Sequence, residues 1–226
     1  MRFAAIDTAA DSCSVALWQD GEIAALEQPA RNRHGELVLP LYERLLGEAG
    51  LTTAMLDGIA FSAGPGSFTG VRIACALAQG LAFAHELPVL GVSTLEAMAE
   101  NSGATRVIAC LDARMHEVYL AAYERDGAQW VTRVAPECVA PAQATLPPGE
   151  GWTGCGGGFE AGGEALRARL GAALAQVDAA VGPCAAAVVR LAAPRLARGE
   201  GTDVALAAPD YVRDKVALTR AERPAR

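Results

Sequence analysis

The chain has 226 residues and a formal net charge of -7, with a pI of about 5.0. That is long enough for a large core and too acidic for a protein that mainly grips a nucleic-acid backbone. Hydrophobic residues make up 52% and charged residues 20%, which excludes wholesale disorder.

The first segment, "RFAAIDT", reads as a strand ending in Asp7-Thr8. Asp7 and Asp11 interrupt the unbroken apolar run that a signal peptide needs, and no stretch is clean enough for a membrane span. The expected location is the cytoplasm, with no membrane contact. "SCSVALWQ" alternates as a second strand, Asp20-Gly21 is a hairpin signal, and "IAALEQ" is a third. A helix is predicted over 37–49, from the spacing of Val38, Leu41, Tyr42, Leu45, Leu46 and Ala49, with Pro40 in its first turn and Gly50 as its stop. The strand "DGIAFSA", a glycine loop, a helix from Ser67 to about His85 and the strand "LPVLGV" come next. A helix capped by Ser93 or Thr94 follows.

A similar series then starts again. "TRVIACLDAR", "HEVYLAAYERDG" and "AQWVTRVAP" read as three strands, followed by a Pro-rich connection from Pro136 to Pro148. "WTGCGGG" is a strand running into glycines, with helices predicted over 160–175 and 184–198. The expected architecture is α/β, two βββαβα lobes in tandem, divided as 1–103 and 104–226. The basic residues Arg213, Lys215, Arg220, Arg223 and Arg226, set against Asp214 and Glu222, read as a solvated end.

The glycine loop, "AGPGSFTGVRI", spaces Gly64, Gly66 and Gly70 as G-x-G-x-x-x-G. That spacing is neither the dinucleotide fingerprint nor a Walker A loop, which also needs a lysine. With Asp7 and Thr8 at the end of the first strand, Gly64 and Gly66 are the residues from which nucleotide contact would be built, but Asp11 would repel phosphate. The helix behind the loop is apolar all round, with Gln79 as the one polar side chain between Arg72 and His85. Such a helix is covered on both sides. Its outer cover is either the rest of this chain or a second protein, and a protein partner is the favoured expectation. The predicted contact residues are Val71, Ala74, Cys75 and Ala78, with Leu41 and Leu45 from the 37–49 helix.

Asp112 and Arg114 suggest a turn-closing ion pair, and His116 a strand-surface residue. The glycines at 154–158 suit a nucleotide or a tight turn equally. The six cysteines and three histidines are scattered, so no metal site is expected. No Ser or Cys has a plausible base nearby, so no catalytic residue is assigned.

The blocks "AIDTAADSCSVAL", "FSAGPGSFTGVRIACALAQGLA", "LPVLGVSTLEAMA", "LDARMHEVY" and "PDYVRDKVA" resemble, in order, the TsaB (YeaZ) family. The resemblance implies two actin/Hsp70-like (ribonuclease H-like, ASKHA) lobes. It also implies the role of a non-catalytic subunit needed to make N6-threonylcarbamoyladenosine at position 37 of tRNAs reading codons that begin with A. In that pathway a TsaC-type enzyme makes threonylcarbamoyl-AMP, the paralogue TsaD transfers the group, and TsaE is a small ATPase. The implied partners are TsaD and TsaE, tRNA through the complex, and a second copy of the chain itself. No cofactor of its own is implied, apart from ATP or ADP at the junction with TsaD. Where TsaD carries two metal-binding histidines, this sequence has Thr94 and Met98, and a thioether is too soft for the expected ion. The alternative reading is an ATP-dependent small-molecule kinase of the same fold.

Overall fold

The computed structural model describes residues 1–213. Lys215, Arg220, Arg223 and Arg226, with Asp214, Glu222 and the end of the "PDYVRDKVA" block, lie outside the described residues.

β1 (Arg2–Asp7), β2 (Ser12–Gln19) and β3 (Glu22–Pro29) form an antiparallel meander, and β4 (Gly58–Gly64) and β5 (Val89–Ser93) extend it parallel to β1. The order is β3-β2-β1-β4-β5. β6 (Arg106–Arg114), β7 (Glu117–Asp126), β8 (Gln129–Val139), β9 (Trp152–Cys155) and β10 (Leu174–Asp178) repeat that order as β8-β7-β6-β9-β10. Directions repeat too, with an antiparallel meander and two parallel additions. The fold is therefore α/β with two mixed five-stranded sheets.

The helices repeat only in part. α1 (His34–Glu48) joins β3 to β4, whereas β8 joins β9 through a single 3-10 turn, Pro141–Gln143. Pro141, Pro147 and Pro148 crowd that connection, and proline disfavours a helix interior. The helix predicted over 160–175 is instead α4 (Gly158–Ala161), α5 (Gly163–Leu170) and then β10. Gly163 and Gly171 take positive φ of 53° and 47°, which breaks the helix on either side. Pairing with β9 then overrides local preference. α1 starts earlier than predicted because His34 is buried and its Nε2 is 2.8 Å from the carbonyl of Ala10, so Pro40 sits inside the helix.

Period-two alternation decides the layers. Ala4 and Ile6 of β1 face α1 and α2 (Phe68–Phe83), while Phe3 and Ala5 face α6 (Ala185–Ala197). In the second sheet Ile108 and Cys110 face Phe159 and Leu166 of α4 and α5. Val107 and Ala109 face Leu95, Met98 and Ala99 of α3 (Thr94–Ser102). Each central helix is thus lent to the other sheet: α3, from the first half, covers the second sheet, and α6, from the second half, covers the first. The division at 103/104 separates the two sheets, but it does not separate two self-contained lobes. A buried carboxylate ties the exchange together. Glu100 of α3 accepts from Trp130 Nε1 at 2.9 Å and pairs with Arg125 at 2.8 Å and, more loosely, with Arg190 of α6 at 3.6 Å.

After α6 the chain returns along the first sheet as a strap. Thr202 bridges Val89, Gln79 Nε2 of α2 donates to the carbonyls of Val204 and Ala207, and the amide of Asp210 donates to Ala63 O at 2.7 Å. Arg213 is no solvated end: it reaches the second sheet and pairs with Glu117 of β7.

Candidate functional site

The glycine loop is closed by the chain's own backbone. A Cβ on Gly64 would lie 2.6 Å from the carbonyl oxygen of Asp210, and one on Gly66 would lie 2.6 Å from that of Ala9. A Cβ on Gly70 would overlap the carbonyl of Thr8, whose hydroxyl donates to Gly70 O at 2.7 Å. These glycines are small so that β4, the β1–β2 loop and the strap can meet. Ser67 caps α2 by accepting from Gly70 N, as predicted. Asp7, Thr8, Gly64 and Gly66 do come together, with both glycines packed against backbone of the same chain. The open depression lined by Leu17, Gln19, Asp20, Glu22, Ala24 and Ala49 lies at the far end of β2 from Asp7. The second glycine run is packing as well: Gly154 lies against the Phe159 ring and Gly158 against Cys110.

Asp7 is fully buried. Its Oδ1 accepts from the amide of Ala9 at 3.1 Å and from the Ser62 hydroxyl, while Oδ2 has no partner among the described residues. Burial pushes its carboxyl up from 3.8 to about 6, against the two hydrogen bonds that favour the charged form. A raised carboxyl means that the fold prefers the neutral acid. Its contribution to stability is present below the unfolded value and lost as pH rises through about 6, a cost of about 3 kcal/mol at neutral pH. Asp7→Asn removes the titration. We expect its melting temperature to exceed that of the native chain by more at pH 8 than at pH 4, and parallel curves would contradict this.

The apolar helix α2 does have two faces. Ala74, Cys75, Ala78 and Ala82 are buried against the first sheet, as are Leu41 and Leu45 of α1, and Val71 is buried too. The stripe predicted as the contact surface is therefore the inward one, because it meets β1 and β4, and none of the six predicted residues is free to touch another protein. The outward face carries Ala76, Gly80, Phe83 and Ala84 exposed, with Ile73 half-buried beside Gly35 of α1. Phe83 is 74% exposed. A Cβ on Gly80 would meet nothing within 4 Å. A glycine inside a helix costs about 1 kcal/mol relative to alanine, and nothing in the fold requires this one. That mismatch was the available signal for the outward face.

Thr94 and Met98 are both fully buried, with the Met98 methyl against Gly156. Among the described residues no group of three or more His, Cys, Asp or Glu side chains could hold a metal. Asp112 and Arg114 pair at 2.9 Å, and Asp112 Oδ1 also accepts from the amide of Arg114. His116 lies in the β6–β7 turn and not on a strand surface.

The family model for TsaD, tRNA N6-adenosine threonylcarbamoyltransferase, matches residues 27–220. The chain is 40% identical over 227 residues to the tRNA threonylcarbamoyladenosine biosynthesis protein TsaB of Escherichia coli (strain K12), with 96% of each chain covered. It is 39% identical over 152 residues to the protein of the same name in Haemophilus influenzae, covering 62% of this chain and 64% of that one. Among solved structures, YeaZ from Pseudomonas aeruginosa superposes with a TM-score of 0.85 at 36% identity, covering 93% of this chain and 99% of that one. A second Pseudomonas aeruginosa structure, described as similar to peptidase YeaZ, gives 0.87 at 36% identity, covering 94% and 99%.

Proposed function

The chain belongs to the TsaB (YeaZ) family, and on that premise we propose that it is a non-catalytic subunit in the formation of N6-threonylcarbamoyladenosine at position 37 of tRNA. In this reading it binds and supports the TsaD transferase, acts together with TsaE, and meets tRNA within that complex in the cytoplasm. The observation that carries the partner reading is the outward face of α2. Gly80 has no neighbour and Phe83 is 74% exposed, on a helix whose inner face is already satisfied. A helix of TsaD approaching over Ala76 and Gly80 would come close to the α2 backbone and cover Phe83, removing apolar surface from water.

The kinase alternative gains no support from the glycine loop, since Gly64 and Gly66 face the chain's own backbone. For the same reason an ATP or ADP at the junction would be held mainly from the transferase side. An equimolar mixture of this chain and the TsaD protein of the same cell is expected to elute from a sizing column as one joint peak. Two separate peaks would contradict the assignment.

A further inference from the structure

The β6–β7 hairpin is built unlike the other two. The β2–β3 turn uses Asp20-Gly21 and the β7–β8 turn contains Gly127, whereas here Arg114, Met115 and His116 all take positive φ, of 61°, 55° and 64°. Left-handed backbone disfavours side chains with a Cβ, and glycine would relieve the cost. All three side chains are exposed, Met115 by 58%. The strap runs up to the same place. Arg213 Nη1 lies 3.8 Å from the sulfur of Met115, and its guanidinium is 5.9 Å from the centre of the Tyr119 ring. Two residues earlier Tyr211 is 52% exposed, and its ring lies 4.8 Å from the guanidinium of Arg72. Arg72 in turn covers the ring of Phe68 at 3.3 Å, and Phe68 is 56% exposed.

Three elements distant in sequence thus lay out one surface on which guanidiniums and flat or soft apolar groups alternate: Phe68, Arg72, Tyr211, Arg213, Met115 and Arg114. We propose that this surface is a stacking platform for single-stranded RNA, contacting unpaired bases of the tRNA loop that the complex modifies. The proposal rests on the functional reading above for the identity of the RNA. Two features favour RNA over a second protein. Exposed rings braced by arginines accept base faces of any sequence, and Arg114 adds a guanidinium that is 82% exposed. A protein helix would suit the uncharged small-residue face farther along α2. Arg114 and Arg213 are held by Asp112 and Glu117, so stacking, and not net charge, supplies the contact, and binding falls only shallowly with salt.

The test uses the full chain and a fluorescein-labelled anticodon stem–loop RNA, read by anisotropy. Tyr211→Ala is expected to weaken binding by about tenfold, the order of one lost base–aromatic stack. Met115→Gly is expected to weaken it as well, while leaving the melting temperature unchanged or higher because the turn relaxes, an outcome that a purely structural role would not give. Three results would overturn the proposal: no RNA binding by the native chain, equal affinity for native and variant chains, or loss of TsaD association with RNA affinity intact. Because anisotropy reads RNA contact directly, it stands or falls separately from any measurement of tRNA modification.

Discussion

Gly70→Ala is expected to lower the melting temperature of this chain by about 10 °C. The added Cβ would be driven into the carbonyl of Thr8, and neither side can easily yield. Thr8 follows directly on β1, whose neighbours β2 and β4 fix it on both sides, and its hydroxyl already donates to Gly70 O. Moving α2 outward to make room would open the contacts of Ala74 and Ala78 with the sheet. Overpacking of this kind costs about 3 kcal/mol, and a domain of this size loses about 2–4 °C for each kcal/mol. Thermal denaturation followed by circular dichroism reads the shift. A change of less than about 2 °C would mean that the loop has room, and a ligand in that room would again have to be considered.

The second large effect separates two positions on one helix. Ala78 is fully buried against the first sheet, so Ala78→Arg places an unpaired charge in the core and the chain is expected not to fold. Gly80, two residues on, faces outward with nothing within 4 Å. Arginine is the better helix former, so Gly80→Arg is expected to keep or raise the stability of the free chain. It also sets a long cation on the face where a partner helix would come close. Joint elution with TsaD is therefore expected to be lost for Gly80→Arg while its melting curve stays intact. Native-like joint elution would move the contact away from α2.

The pair also shows where reading the sequence succeeds and where it stops. Doubly apolar α2 is visible in the sequence, since no polar stripe marks a solvent side. Which apolar stripe faces inward is not visible, because Ala74 and Ala78 differ little in chemistry from Ala76 and Gly80, and the sheet beneath decides. The ten strands, apart from β10, follow from alternation and turn residues. β10 escapes notice because "LAQVD" has no strong β pattern and forms by pairing with β9. The lending of α3 and α6 across the molecule and the strap at 202–213 rest on contacts between residues far apart in sequence, such as the amide of Ala185 with the Ser14 hydroxyl at 2.8 Å. Local periodicity carries no trace of these. The loop at Gly64 resembles a phosphate cradle because phosphate and a carbonyl oxygen of the same chain demand the same thing there, a backbone without Cβ.

The most direct measurement is mass spectrometry of tRNA nucleosides from cells depleted of this protein. N6-threonylcarbamoyladenosine is expected to disappear as the protein is depleted and to return with the native gene, but not with Gly80→Arg. Undiminished modified nucleoside after complete depletion would contradict the proposed role.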